Sequence, residues 1–257
     1  MNWLIEEQEG VVVLKMSSNK LNLMNDVFFT DLNNAFDILE NDYKNKPVVL
    51  TSVGSVFSAG LDLNHCYEIF SGGDKSEVLR WFEQFRDSLL RVFNFERPLI
   101  AALNGHAIAG GLILALCCDT RYAVSTNAKY GLNEVTIGFP LPSVFAEIIK
   151  YAIGPRRSEE MLFDGMLYDP DDCIKLGLFH DITDHNNLMN MSISYARQFN
   201  SDNIFAYSVA KKALRKDTNH RIETYCIEMD RDVPAMLTSD KTKNNLKMIM
   251  ENLKERK

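Results

Sequence analysis

The sequence predicts an α/β protein in which strands alternate with helices, followed by a C-terminal region that is mainly helical. Two observations support the first part: short apolar runs rich in β-branched residues have the length of buried strands, and segments with apolar residues at helical spacing lie between them. A third observation is that mainly helical patterns remain beyond Asp184. We therefore expect a core over residues 1–184 and a helical region over residues 185–257.

Turn residues bound the predicted strands. Gln8–Gly10 separates the first two strands, and Pro98 begins the fourth. In chain order, the predicted strands are Trp3–Glu7, Val11–Met16, Val48–Ser52, Pro98–Leu103, Thr120–Val124 and Gly177–Phe179.

The helices are predicted from apolar residues that recur three and four positions apart. The breaker pair Gly154-Pro155 separates two of them, and Asp169-Pro170 supplies a cap and an early proline for another. In chain order, the predicted helices are Asp26–Asn41, about Ser76–Phe95, Leu112–Cys118, Ser143–Ile153, Pro155–Leu162, a helix starting at Asp169–Asp172, Asn186–Phe199, Asn203–Lys216, Arg221–Met236 and Lys241–Glu255.

Composition excludes several classes of protein. Of the 257 residues, 46% are hydrophobic and 25% are charged, as in soluble globular proteins. A net charge of −7 disfavours nucleic acid and anionic membranes as partners, and no apolar run approaches the length of a membrane span. The five cysteines are scattered without metal-ligand spacing, which is typical of a reducing compartment. Because the cysteines lack metal-ligand spacing, we expect no metal. Because the sequence shows no signal or transit peptide, we expect a cytoplasmic protein.

The stretch Asn104–Asp119 is the centre of the predicted organisation. A buried strand leads into Ala109-Gly110-Gly111, and Leu112–Cys118 is apolar on every side, as in a fully buried helix. N–H groups in the first turn of a helix lack intrahelical partners, and glycine lets a ligand oxygen approach them. A Gly-Gly pair by itself is most simply a device for close packing. However, a second small-residue turn, Ala59-Gly60-Leu61, also follows a predicted strand.

Two such turns and one carboxylate allow a specific chemistry if they meet. Two N–H groups directed at one carbonyl oxygen form an oxyanion hole, in which one donor is typically worth about 2.7–4 kcal/mol of barrier. A nearby carboxylate, Glu134, would remove a proton from the carbon beside that carbonyl. We expect the apolar neighbours Leu132, Val135 and Ile137 to raise its proton affinity. The simpler reading is that Glu134 lies on the exposed face of an edge strand.

Four motifs in order resemble the enoyl-CoA hydratase/isomerase (crotonase) superfamily: Val56–Leu63, Asn104–Gly111, Cys118-Asp119 and Gly131–Glu134. The resemblance is collinear from about Asn19 to about Leu178 and more diffuse in the helical tail. The segments Phe57–Leu63 and Gly131–Gly138 are most similar to Δ3,Δ2-enoyl-CoA isomerases.

The resemblance implies the fold, the site and the assembly. The fold would be the ClpP-like crotonase spiral of ββα repeats, with a C-terminal helical region that forms homotrimers or hexamers. The oxyanion N–H groups fall on Leu61 and Gly110, and the catalytic carboxylate falls on Glu134. CoA would be part of the substrate, with no further cofactor and no metal. The residues expected to line the thioester pocket are Ser58, Ala59, Gly60, Asp62 and Asn133.

One departure from the family pattern favours isomerisation over hydration. Hydratases of this family carry a second glutamate at the position of Ile113, and an isoleucine cannot hold or activate water. We therefore expect a Δ3,Δ2-enoyl-CoA isomerase of fatty acid β-oxidation. The alternatives are an enoyl-CoA hydratase or CoA-thioester hydrolase that uses another acid such as Glu68, and a non-catalytic acyl-CoA-binding protein.

Several other residues receive structural interpretations. Asp62 and Asp119 are expected to fix turns, and His65 and His106 to have surface or hydrogen-bonding roles. A basic cluster is expected on a solvated helix face or, alternatively, at the CoA phosphates; it comprises Lys211, Lys212, Arg215 and Lys216. The residues assigned to the core are Phe82, Phe85, Phe93 and Phe95.

Overall fold

The computed structural model describes residues 2–72 and 74–255 and shows a mixed α/β fold. Met1, Gly73 and residues 256–257, which fall within the two predicted regions, lie outside the described residues. The strands are β1 (Trp3–Gln8), β2 (Val11–Met16), β3 (Val48–Ser52), β4 (Val56–Ser58), β5 (Leu99–Leu103), β6 (His106–Ile108), β7 (Thr120–Val124), β8 (Tyr130–Gly131), β9 (Leu167–Tyr168) and β10 (Asp181–Thr183).

Helices surround the sheets, and two short turns of other helical types interrupt the C-terminal ones. A π-helical turn covers Ile222–Cys226, and a 3-10 turn covers Asp230–Asp232. The α-helices are α1 (Asp26–Asp42), α2 (Leu63–Gly72), α3 (Lys75–Phe93), α4 (Gly110–Leu116), α5 (Glu134–Ile137), α6 (Ser143–Ile153), α7 (Pro155–Asp164), α8 (Pro170–Leu176), α9 (His185–Ala196), α10 (Ile204–Arg221), α11 (Ile227–Met229), α12 (Val233–Leu237) and α13 (Asp240–Glu255).

The larger sheet forms the centre of the core and has the strand order β1-β2-β3-β5-β7-β10. Strands β1 and β2 form an antiparallel hairpin, and the other neighbours in this sheet are parallel. Every residue of β3, β5 and β7 is buried. Burial on both faces explains why Val48–Leu50 and Leu99–Leu103 are apolar runs instead of alternating with polar residues.

The smaller sheet positions the candidate site. Its strand order is β4-β6-β8-β9, and β4, β6 and β8 run parallel to one another. The loops that follow these three short strands therefore leave the same edge of the sheet. They are residues 59–62, Ala109 directly before the first residue of α4, and residues 132–133.

The structure corrects two predictions and adds regular elements that were not predicted. The strand predicted at Gly177–Phe179 is wrong, because Gly177 ends α8 in a left-handed conformation and the strand begins at Asp181. Helix α2 and strands β4 and β6 were not predicted as regular elements. Glu134 does not lie on an edge strand, because it is the first residue of the short helix α5.

The C-terminal helices pack onto the core, and two of the predicted surface cations are buried there. Helix α9 packs across β3, β5, β7 and β10, and α13 packs against α2 and α5. Lys211 and Arg215 of α10 are not on a solvated face, because both are buried and pair with Asp119 at 2.8 and 2.7 Å. Asp119 also accepts from the N–H of Leu99, so it fixes the turn as expected.

Candidate active site

The three loops at the edge of the smaller sheet are in direct contact. The N–H of Ala109 donates to the carbonyl of Gly131 at 2.8 Å, which joins the loops after β6 and β8. A Cβ atom at Gly60 would lie 2.9 Å from the carbonyl oxygen of Ile108 and 3.1 Å from the nitrogen of Gly110. Only a glycine at position 60 therefore lets the loop after β4 approach the loop after β6 this closely.

The backbone N–H of Leu61 is free to bind a ligand. Met24 forms a parallel bridge with Leu61, in which the N–H of Met24 donates to Gly60 and the N–H of Asp62 donates to Met24, both at 2.9 Å. Because the groups on either side of Leu61 point toward Met24, the N–H of Leu61 points away from it. No backbone oxygen of the described residues accepts from this N–H.

The N–H of Gly110 forms the second donor, and a strained residue orients it. Ala109 has φ 52° and ψ −126°, a conformation that L-residues rarely adopt and that costs about 1–3 kcal/mol. Gly60, which precedes the other donor, also has a positive φ of 86°. The nitrogen of Leu61 lies 3.9 Å from the position that a Cβ atom of Gly110 would occupy. The two donors are therefore close neighbours.

Glu134 supplies an isolated carboxyl group. Only 6% of the residue is exposed, and its Oε2 atom is buried with no hydrogen-bond partner among the described residues. Burial raises the pKa of the Glu134 carboxyl from 4.5 to about 7. The expectation that Val135 helps to raise this pKa is wrong, because the residue is 53% exposed. Such a group can take up and release a proton near neutral pH.

Other acids do not complete a carboxylate pair. Ile113 is buried in α4, and Glu68 is exposed on α2. Asp230 is the one buried acid besides Glu134 in the described part of the chain, and it accepts from the N–H groups of Ser143 and Val144 at the start of α6. Two neighbouring N–H donors and one proton acceptor suit the formation of an enolate better than the activation of water.

Residues 6–256 match the family model described as enoyl-CoA hydratase/isomerase. The chain belongs to this family. The human protein named enoyl-CoA delta isomerase 1, mitochondrial is 30% identical over 254 residues, which cover 96% of this chain and 82% of that protein. A short-chain-enoyl-CoA hydratase from Clostridium acetobutylicum is 28% identical and covers 87% and 85% of the two chains.

Solved structures confirm that the enoyl-CoA hydratase/isomerase chain has the crotonase fold. The crystal structure of human mitochondrial delta3-delta2-enoyl-CoA isomerase superposes with a TM-score of 0.92 at 28% identity and covers the whole of both chains. An enoyl-CoA hydratase from Bacillus halodurans superposes with a TM-score of 0.87, covering 96% of this chain and 100% of its own, and at 20% identity it shows the fold alone.

The pocket residues expected from the family resemblance lie on these loops, but two of them use their side chains internally. Ser58, the last residue of β4, is fully buried, and its Oγ donates to the carbonyl of Asn22 and accepts from the N–H of Gly60. The carboxylate of Asp62 accepts from the N–H groups of Asn64 and His65, so it caps helix α2, whereas it was expected to fix a turn. Asn133 precedes Glu134, and its side chain makes no cap bond. Whether Ser58, Ala59, Gly60, Asp62 and Asn133 contact the substrate stays a prediction.

The sequence analysis missed the segment that supports the loop after β4. Asn22 is fully buried with a φ of 47°, and Met24 is fully buried with its Sδ atom 3.3 Å from the Cβ position of Gly110. The sign of it in the sequence analysis is that the family resemblance begins at about Asn19. His106 was interpreted correctly, since its Nδ1 accepts from the N–H of Lys129 at 2.9 Å.

Proposed function

We propose that the protein is a Δ3,Δ2-enoyl-CoA isomerase, which moves a double bond within an enoyl-CoA thioester. The observation that carries this proposal is the buried carboxyl group of Glu134, which has a raised pKa and begins α5 directly after the loop that contacts the loop of the Gly110 N–H group. The similarity to the human isomerase supports it in sequence and in structure.

In the proposed reaction, Glu134 removes a proton from C2 of a 3-enoyl-CoA. The electron pair of that C–H bond delocalises onto the thioester oxygen, which accepts hydrogen bonds from the N–H groups of Leu61 and Gly110. Glu134 then returns the proton to C4, so that the double bond between C3 and C4 becomes one between C2 and C3. No water is consumed, which agrees with the isoleucine at position 113.

The proposal extends to the substrate, the assembly and the location. The substrate would be an acyl-CoA thioester of fatty acid β-oxidation, and the reaction needs neither a metal nor a redox cofactor because Glu134 alone moves the proton.

No helix of the described residues is both long and apolar enough to cross a bilayer. Trimers or hexamers formed through residues 185–257, and a cytoplasmic location, stay predictions; the human, mouse and rat isomerases carry the word mitochondrial in their names.

The test is to incubate the protein with a 3-enoyl-CoA and, separately, with a 2-enoyl-CoA. We expect the first to become the conjugated 2-enoyl thioester and the second not to be hydrated. Glu134→Gln should lower kcat by about 10²–10⁴-fold, the usual contribution of a general base. Glu68→Gln is the matched control, because it removes an exposed acid of the neighbouring α2, and it should keep full activity.

Each alternative gives a different result. Hydration of the 2-enoyl-CoA without a shift of the 3-enoyl-CoA would indicate a hydratase, and release of free CoA would indicate a thioester hydrolase. Acyl-CoA binding without turnover, equal in the wild type and Glu134→Gln, would indicate a binding protein.

A further inference from the structure

The hydroxyl group of Ser58 connects two segments beside the proposed oxyanion hole. Ser58 is fully buried, and its Oγ donates to the carbonyl of Asn22 at 2.8 Å. The same Oγ accepts from the N–H of Gly60 at 3.2 Å. Because the hydroxyl has one proton to donate, these two bonds assign its roles as donor and acceptor. The side chain therefore acts inside the protein.

The carbonyl of Asn22, which accepts from the Ser58 hydroxyl, is itself held in place. Asn22 has a φ of 47°, and its side-chain amide donates to the carbonyl of Val56 at 2.9 Å. It is fully buried, so its backbone carbonyl has a fixed direction toward Ser58. The Ser58 hydroxyl thus joins the loop after β4 to a rigid point on the loop after β2.

The bond to Gly60 holds the peptide that directly precedes the one carrying the N–H of Leu61, so it restricts the rotation of Gly60 between them. Gly60 has a positive φ of 86°, and a glycine left unrestrained samples many conformations. Ser58 holds its N–H, and Met24 holds its carbonyl through a bond of 2.9 Å. With both groups fixed, the peptide between Gly60 and Leu61 has one orientation. Without the hydroxyl, the N–H of Gly60 would be a buried donor lacking its partner.

We infer that Ser58 is a positioning residue for the Leu61 oxyanion donor and acts through the N–H of Gly60 without contacting the substrate. The inference rests on the proposed function, because it assumes that the N–H of Leu61 binds the thioester oxygen. It assigns Ser58 a role different from the pocket-lining one that the family resemblance implies.

The test uses acetoacetyl-CoA, whose enolate has its own ultraviolet absorption band and shares its charge between the keto oxygen and the thioester oxygen. In Ser58→Ala we expect the fraction of bound ligand present as enolate to fall by about tenfold or more at a given pH. We expect kcat with a 3-enoyl-CoA to fall between about tenfold and about a hundredfold, as for a misplaced catalytic group, with KM changed less than about twofold. A merely structural role would lower the melting temperature without changing the enolate band.

Ser192→Ala is the matched control. Ser192 is also fully buried, and its Oγ donates to the carbonyl of Leu188 at 2.8 Å in α9, away from the site. It should lose stability while keeping the enolate fraction and kcat. Should Ser58→Ala fail to fold, Ser58→Cys replaces it, because a thiol is a weaker donor and should shift the enolate fraction in the same direction by less.

The outcomes separate this inference from the proposed function. An unchanged enolate fraction in the folded Ser58 variants overturns the inference, as does a wild type that forms no enolate. If the wild type forms the enolate and Ser58→Ala weakens it, but no 3-enoyl-CoA is isomerised, the positioning role stands and the proposed function falls.

Discussion

Burial controls the protonation of Glu134, because its Oε2 atom is buried and has no hydrogen-bond partner among the described residues to stabilise a charge. Its pKa of about 7 lies close to the pH at which a base must both take and return a proton. The sequence indicated a raised proton affinity from the apolar neighbours. It did not reveal that Val135 faces outward and that the burial comes from tertiary packing around α5.

The first prediction concerns the pH dependence of activity. Because Glu134 must be unprotonated to act as a base, kcat/KM should rise with pH through about 7 and then level off. Initial rates with a 3-enoyl-CoA between pH 5 and 9 measure this. The residual rate of Glu134→Gln should show no such rise. A midpoint near 4.5 in the wild type would mean that the carboxyl group is solvated, contrary to the structure.

The second prediction concerns stability at the same residue. The folded state binds the Glu134 proton more tightly than the unfolded state, so burial costs nothing below pH 4.5 and its full cost is reached above pH 7. Glu134→Gln should therefore raise the free energy of unfolding at pH 8 by about 3 kcal/mol, the equivalent of this pKa difference. The gain should shrink as the pH falls from 7 to 4.5. Urea denaturation at several pH values measures it.

Glu68→Gln provides the comparison for that experiment. Glu68 is exposed, so its charge is in water in both the folded and the unfolded state. Its substitution should change stability by little at every pH. An equal, pH-independent change in both variants would show that the Glu134 charge is not destabilising.

At the scale of elements, the two N–H donors come together because the loops after β4 and β6 touch at Gly60. A Cβ at this position would lie 2.9 Å from the carbonyl of Ile108 and 3.1 Å from the nitrogen of Gly110. In Gly60→Ala the two loops must therefore move apart. We expect kcat to fall by about a hundredfold, because a displacement of about 1 Å at a catalytic group has an effect of that size.

Gly10→Ala separates this effect from backbone strain. Gly10 has a φ of 80°, close to the 86° of Gly60, but a Cβ there would contact nothing within 4 Å. Both variants should lose about 1–2 kcal/mol of unfolding free energy from the positive φ. Only Gly60→Ala should lose activity. Equal activities would show that close contact between the loops is not needed for the reaction.

Long and strongly patterned elements were predictable from the sequence, and short ones were not. β2, β3 and β7 have the predicted bounds. Runs of adjacent apolar residues identify β2 and β3 as buried strands, whereas β7 includes the buried Arg121. β4 and β6 contain three residues each and carry no periodicity, so only tertiary pairing defines them. Helix α2 was missed because Asp62 was interpreted as capping a turn, when it caps this helix.

At the scale of the whole molecule, one buried group of charges attaches the helical region to the core. Asp119, before β7, accepts hydrogen bonds from Lys211 and Arg215 of α10, and Arg215 stacks on Phe93 of α3 with 4.2 Å between the guanidinium and the ring. Their burial was not predictable from the basic cluster, because neighbouring cations in it differ: Lys212, between the two, is exposed and pairs with Glu96.

This arrangement predicts a large loss of stability when Asp119 is removed. Asp119→Ala leaves Lys211 and Arg215 buried without their counterion, which typically costs about 3–5 kcal/mol. Asp172→Ala is the control, since Asp172 pairs with Lys175 at 2.7 Å on the surface, where such a pair is worth about 0–1 kcal/mol. Urea denaturation gives both values.

Trypsin should cleave α10 faster in Asp119→Ala, because loss of the ion pairs loosens this helix from the core. A loss as small as that of the control would mean that α10 is held by apolar packing alone.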